Sequence, residues 1–128
     1  MNTKLIMTLT AILLTMIGIA LTFAPDMVMR SLGIGSSGFL MLILQLLGAA
    51  YFGFGFLNWM AKGAAIGGIY NKPIAIGNLT HFVIAGLGLT KAVLHNHQLP
   101  VIFSIIAGCF VLLACIFGVI SFRHPIKN

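Results

Sequence analysis

GFLMLILQLLGAAYFGFGFLNWM, residues 38–60, carries no charged side chain, and its polar content is confined to Gln45, Tyr51, Asn58 and Trp59. Read as a helix at about 1.5 Å per residue it is about 35 Å long, enough to cross a hydrocarbon core of about 30 Å with some tilt. Residues 5–23 and 100–122 share this character, and 74–94 departs from it only by Lys91 near its end; their lengths are about 28, 35 and 31 Å. Every charged residue of the chain, Lys4, Asp26, Arg30, Lys62, Lys72, Lys91, Arg123 and Lys127, lies at or near an edge of one of these stretches. A charge at mid-membrane costs at least ~3 kcal/mol, so edge placement of all of them is what lipid demands and water does not. Barrel strands would need alternating segments of about ten residues, which are absent. The predicted fold is all-α, an integral membrane antiparallel four-helix bundle making a single membrane domain over residues 1–128.

Composition excludes the soluble alternatives. With 60% hydrophobic and 6% charged residues, and a mean hydropathy of +1.14, the chain cannot hide its apolar surface in one soluble core. The four stretches use nearly all of its length and leave no room for an extramembrane domain. Seven basic residues against the single acid Asp26 give a net charge of +6. That excess sits at segment ends, so it reads as orientation and anionic-lipid contact, and no nucleic-acid partner is expected. Lys4, Lys62, Lys72, Arg123 and Lys127 fall on one side, Arg30 and Lys91 on the other. The positive-inside rule then predicts a bacterial cytoplasmic (inner) membrane protein with both termini and the central connection in the cytoplasm. The basic start and apolar run resemble a secretory signal. The run is long for a signal core, however, and Pro25 follows the small-residue site Thr22-Phe23-Ala24, which predicts a retained first span.

The connections are short. Residues 24–37 are expected to start with a helical turn lying in the interface, with Pro25 first, Asp26 favourably set against the helix dipole and four residues from Arg30, and Met27, Val28 and Leu32 dipping into lipid. Around Gly67-Gly68, the neighbours Ile66, Ile69 and Tyr70 suggest a connection that hugs the membrane surface. The turn His95-Asn96-His97-Gln98 is tight and predicts antiparallel contact between the third and fourth long helices.

Lipid offers helices no hydrophobic reason to associate, so small and polar residues mark the contact faces. Heptad-like stripes of this kind occur in each stretch: Thr8, Ala11, Thr15, Gly18 and Thr22; Gln45, Gly48, Phe52, Gly55 and Trp59, with Ala49 and Gly53 as a neighbouring small pair; Asn78, His81, Ala85, Gly88, Ala92 and His95; and Ser104, Gly108, Val111, Cys115 and Gly118. All four are expected to face inward in a left-handed bundle.

Among candidate functional residues His81 leads, as the histidine set at membrane depth with Asn78 one turn before it. It reads as a structural donor or acceptor to Gln45, Asn58 or a backbone carbonyl, or else as a ligand contact; haem or metal ligation would need a second ligand at matching depth. Gln45 and Asn58 read as cross-helix glue or as ligand contacts. Lys91, one turn inside the end of its helix, either snorkels outward or faces the bundle mouth with Arg30 to attract an anionic head group. His95 and His97 lack a third strong ligand and read as a solvated polar turn, so no metal and no cofactor is expected. Tyr51, Trp59 and Tyr70 read as interface or packing aromatics. Cys109 and Cys115, about 9 Å apart along one helix and on different faces, cannot bridge each other. A single carboxylate excludes paired-carboxylate chemistry, no Ser-His-acid set shares one depth, and the first span lacks the Glu of small four-helix multidrug exporters.

The stretch Gln45-Leu46-Leu47-Gly48-Ala49-Ala50-Tyr51-Phe52-Gly53-Phe54-Gly55, with Ala24-Pro25-Asp26 closing the first span, resembles small bacterial four-helix membrane proteins of the DoxX-like type. The resemblance covers the first two long helices and the four-span plan. It implies an accessory or redox-associated role and carries no catalytic residues with it. The sequence thus predicts a small accessory or hydrophobic-ligand-binding subunit without catalysis of its own, in contact with the lipid bilayer, a lipid or quinone, and a membrane protein partner or a second copy. The alternative is a lipid- or quinone-handling enzyme or transporter built around His81, Asn78 and Gln45.

Overall fold

A computed structural model describes residues 2–64 and 71–123. The described residues form five helices and no strand: α1 (Thr3–Phe23), α2 (Pro25–Ser31), α3 (Gly38–Ala61), α4 (Lys72–His95) and α5 (Val101–Phe122). The four long ones are about 32, 36, 36 and 33 Å in length and apolar enough to cross a membrane. Their outward faces carry bare large hydrophobic side chains, including Phe23 at 80%, Phe122 at 79% and Val101 at 74% exposure. Water would not tolerate so much continuous apolar surface, whereas lipid is its natural solvent. The chain is an all-α, multi-pass membrane protein, and its spans begin and end within two residues of the stretches read from sequence. The predicted surface-hugging segment with Gly67, Gly68 and Tyr70, and the basic residue Lys127, lie outside the described residues.

The chain divides into two compact units, Met1–Gly63 and Ala64–Asn128. In the first, Asn2 caps α1 by accepting from the Leu5 amide at 3.1 Å, and Ser37 caps α3 by accepting from the Leu40 amide at 3.4 Å. Both supply an acceptor to a helix-start N–H that lipid could not satisfy. Between the two, Pro25 opens α2 with Asp26 in its first turn and Arg30 in its last, as the dipole favours. Met27 is exposed and Val28 and Leu32 are half-buried, but Met29 is fully buried and anchors α2 from beneath. Gly33, at φ +68°, ends the helix: its amide donates to Arg30 O and that of Ile34 to Met29 O, both at 3.0 Å. This pairing satisfies two terminal carbonyls and requires the left-handed backbone that glycine adopts cheaply.

α1 and α3 run antiparallel, and they touch through backbone. A Cβ built on Gly18 would lie 2.6 Å from the Phe52 amide nitrogen and 2.8 Å from Gly48 O; one on Gly55 would lie 2.9 Å from the Thr15 nitrogen and 3.0 Å from Ala11 O. Small side chains are thus a geometric requirement along this seam; of the α1 stripe Thr8, Ala11, Thr15, Gly18 and Thr22 read from sequence, Ala11 and Gly18 are buried and the three threonines half-buried, and Met7, Thr10 and Leu14, outside the stripe, are buried as well. On α3 the seam keeps Gly48 and Gly55, but the buried and half-buried positions beside them are Leu44, Tyr51 and Asn58; Gln45, Phe52 and Trp59 are exposed on the flank, as are Ala49 and Gly53.

In the second unit α4 and α5 also run antiparallel, joined by a turn in which Asn96 Oδ1 accepts from the Gln98 amide at 3.1 Å. Here the stripe read on α5 does not form the contact, and the one read on α4 does so only in its first half, where Asn78 is buried and His81 and Ala85 are half-buried. On α5, Ser104, Gly108, Val111 and Cys115 are exposed and Gly118 is half-buried; the buried set is Ala107, Phe110, Phe117 and Ile120. On α4, Gly88, Ala92 and His95 are exposed, and the buried set is Ala75, Asn78, Phe82 and Gly86. The reason is dispersion. Phe82, Phe110 and Phe117 stack and cross edge to face at centroid distances of 5.1 and 5.8 Å. Gly86 supplies the clearance opposite them, its Cβ position lying 3.4–3.5 Å from the Phe110–Val111 backbone and side chain. Burying three rings gains more contact than burying a row of small residues, which lipid accepts at no cost.

Candidate functional site

The glycine seam has a geometric by-product. Because Gly48 and Gly55 draw α3 onto α1, the bulky neighbours on the α3 flank cannot interdigitate and instead stand up as a wall. Phe52, Phe56 and Trp59, at spacings of four and three, form that wall; Ile12 and Met16 form the opposite one, and Ala11 and Thr15 the floor. They enclose a lateral, almost wholly apolar groove of about 330 Å³, at the small end of the range for ligand sites. Phe52, Phe56 and Trp59 are each about half exposed, so the groove opens sideways into the acyl region.

One end of the groove is charged. The Lys62 ammonium sits over the Trp59 ring, 2.8 Å from its centroid, in a cation–π contact. The antiparallel register, with Thr22 beside Gly48 and Thr15 beside Gly55, brings Lys4 in the first turn of α1 to this same end. The chain's single acid, Asp26, begins α2 at the other end. From Lys62 to Phe52 is ten residues of helix, about 15 Å, which is half of a hydrocarbon core of about 30 Å. The groove therefore has the depth of one leaflet, with cations at its mouth.

The polar residues singled out from sequence divide between the two units. Gln45 and Asn58 belong to the first unit, and Asn78, His81 and Lys91 to the second. Gln45 is exposed on the α3 flank, about 20 Å along the helix from Asn58. Lys91 is exposed about 15 Å along α4 from His81. Asn58 and Asn78, by contrast, are fully buried and make the same arrangement: each amide nitrogen donates to the carbonyl four residues back, Phe54 O and Ile74 O respectively, at 2.9 Å. In each, Oδ1 is buried without a hydrogen-bond partner among the described residues. His81 is half-buried and belongs to the aromatic cluster, its ring centroid 5.1 Å from Phe82 and 5.6 Å from Phe110. His95 Nδ1 lies 3.0 Å from Lys91 O, which ties this imidazole to its own helix. Among the described residues no three His, Cys, Asp or Glu side chains come together, and Cys109 and Cys115 are free thiols.

The groove itself was missed by reading stripes. Phe52 drew notice only as a packing residue and Trp59 as an interface or packing aromatic, and Ile12, Met16 and Phe56 drew none. An available signal was the row Phe52, Phe56, Trp59, in which Phe52 and Trp59 each follow a seam glycine, Gly48 or Gly55, by four residues on the same helix. Comparison of the chain with protein-family models, with curated proteins and with solved structures gives no significant match.

Proposed function

We propose that this membrane protein is a small accessory, hydrophobic-ligand-binding subunit without catalysis of its own, and that the α1–α3 groove is where it holds an apolar chain. The observation that carries the reading is the groove: an open, apolar slot whose floor is fixed by backbone contact and whose walls are aromatic and aliphatic. A slot bounded by such a seam is preformed, so an occupant pays little to organise it. The basic residues favour a bacterial cytoplasmic membrane with both termini inside, which would set the groove in the cytoplasmic leaflet. A DoxX-like accessory role fits the same picture, with a protein partner or a second copy on another face. Native mass spectrometry of the full chain released from mild detergent tests it. An apolar molecule of lipid or quinone mass is expected on the wild type, with lower occupancy in Ile12→Phe, which narrows the groove from its lipid-facing wall. Ions bare of any such molecule in both proteins would sink the proposal.

The alternative, a lipid- or quinone-handling site around His81, draws support from Asn78: its buried, unpartnered Oδ1 lies one turn from that imidazole and needs a donor. Under this reading His81→Leu abolishes retention of the co-purified molecule at unchanged thermal stability. Lost stability with retained ligand would mark His81 as a packing residue of the aromatic cluster.

A further inference from the structure

We infer that the groove selects its occupant by head group: it takes one acyl chain of an anionic phospholipid from the leaflet bounded by Lys4 and Lys62, with the lipid phosphate at those two ammonium groups. The inference rests on the groove being a ligand site, as proposed above, and adds what the ligand is.

Three observations lead there. The first is depth. The slot ends about 15 Å from Lys62, near the middle of a core about 30 Å thick, so it fits a chain entering from one leaflet and not a molecule that spans both. The second is charge. Both cations of the first unit's open end, Lys4 and Lys62, stand at the mouth, and the chain's one carboxylate is at the opposite end. The third is placement of the ammonium. Lys62 is held against Trp59, a groove-wall residue, so its charge is fixed at the point where a chain seated in the groove would present its phosphate.

The energetics make charge the deciding term. An acyl chain leaving bulk lipid for the groove exchanges one apolar surrounding for another and gains nothing from the hydrophobic effect. Shape gives the slot a chain, and any chain would serve. Discrimination among lipids must then come from the head group, where each lysine near a membrane surface favours an anionic lipid by about fivefold. A zwitterionic lipid places a choline or ethanolamine cation beside the same lysines and loses most of that gain.

Trp59 is the chain's only tryptophan, so its fluorescence reports the groove without labelling. The full-length protein is reconstituted in phosphatidylcholine vesicles and titrated with acyl-brominated phosphatidylglycerol or acyl-brominated phosphatidylcholine. Brominated phosphatidylglycerol is expected to reach half-maximal quenching at a mole fraction about fivefold lower or better. In Lys62→Gln the separation between the two curves should shrink by about fivefold, and it should close when Lys4→Gln is added, while Lys62→Arg should keep the curves apart. A reporter moved off the groove at nearly the same depth, Trp59→Phe with Leu57→Trp, should show no head-group preference. Saturable quenching of Trp59 that is equal for both lipids would overturn the head-group assignment and leave the groove reading standing. Quenching of Trp59 indistinguishable from that of the Leu57→Trp reporter would overturn the groove reading itself. Quenching by a neutral quinone at a lower mole fraction than brominated phosphatidylglycerol would overturn the assignment to a phospholipid.

Discussion

Between α1 and α3 the backbone of one helix closes on Gly18, Gly48 and Gly55 of the other, with the Thr22 and Thr15 hydroxyls also lying against the last two, whereas α4 and α5 meet ring on ring, at Phe82, Phe110 and Phe117. Both pairs are antiparallel, of similar length, and in the same solvent. Lipid removes the hydrophobic reason for association, and what remains is dispersion and hydrogen bonding, which can be maximised in two ways. Thinning the helix surface lets whole backbones touch, at the cost of leaving large side chains stranded beside the seam. Interlocking large side chains fills the interface and strands the small ones outside. The groove is therefore a property of the first pair, since a glycine seam produces a slot beside it and an aromatic interface consumes its own space.

The comparison breaks most readily at the seam. Gly18→Leu forces a side chain into the Phe52 and Gly48 backbone, which cannot yield as a flexible side chain would, and should cost ~3 kcal/mol or more. Gly88→Leu and Gly108→Leu, at helix positions with nothing within 4 Å of an added Cβ, should stay within ~0.5 kcal/mol of wild type. Unfolding of the three variants in one detergent measures the difference; equal losses would mean that the α1–α3 contact is not backbone-limited. Next in size is Phe110→Ala in the second pair. A buried Phe→Ala costs ~3–5 kcal/mol in water-soluble cores, but in lipid the transfer part falls away and the lost packing remains, so roughly 2 kcal/mol is expected. The same assay checks it, and a loss below ~1 kcal/mol would remove the aromatic cluster as the basis of the α4–α5 pairing.

The sequence was most legible where one physical term dominates. The cost of a buried charge places the spans to within two residues, and Pro25 and the turn His95-Asn96-His97-Gln98 punctuate them as turn chemistry requires. The stripe on α1 was legible in part: Ala11, Thr15, Gly18 and Thr22 are small because backbone or a glycine of α3 lies against them, while the buried Met7 and Leu14 beside them carry no such signal in so apolar a span. On α5 the same rule selected Gly108, Val111 and Cys115, one residue off Ala107, Phe110 and the rest of the buried face, because small size permits close approach without demanding it. The heptad separation of Phe110 and Phe117 was the competing signal, and in a span so apolar it has little contrast. Of the candidate site, burial of Asn58 and Asn78 was foreseeable from the cost of a bare amide in lipid. The exposure of Gln45 and Lys91 was not, since it depends on which residues of each helix turn toward its neighbour. The groove is empty space, and a reading that looks for contacts passes over it.

A smaller effect is expected at Gly33. Replacing it with Ala strains the left-handed residue that closes α2 and should cost ~1 kcal/mol, confined to the α2 segment and visible as faster amide exchange at Gly33 and Ile34 with α3 unchanged. Exchange that rises along α1 and α3 as well would mean that α2 is part of the seam and not an appendage to it.

The smallest effect probes the one feature the two pairs share. Asn58 and Asn78 each bond back to their own helix through the amide nitrogen and leave a buried carbonyl oxygen unpaired among the described residues. An unpaired buried acceptor costs ~1–3 kcal/mol, and replacing it by an apolar group of similar shape removes that penalty together with a back-bond that adds little to a helix already complete. Asn58→Leu and Asn78→Leu should therefore be neutral or stabilising by up to ~1 kcal/mol. The two variants need not agree, and their disagreement would be informative. If Asn78→Leu destabilises by more than ~1.5 kcal/mol while Asn58→Leu does not, the Asn78 oxygen has a donor that the helix pair itself does not supply, and the reading centred on His81 gains at the expense of the groove. Should Asn58→Leu be the costly one, the first unit holds a second polar determinant on its buried face, and the glycine seam would no longer account alone for how α1 and α3 are held.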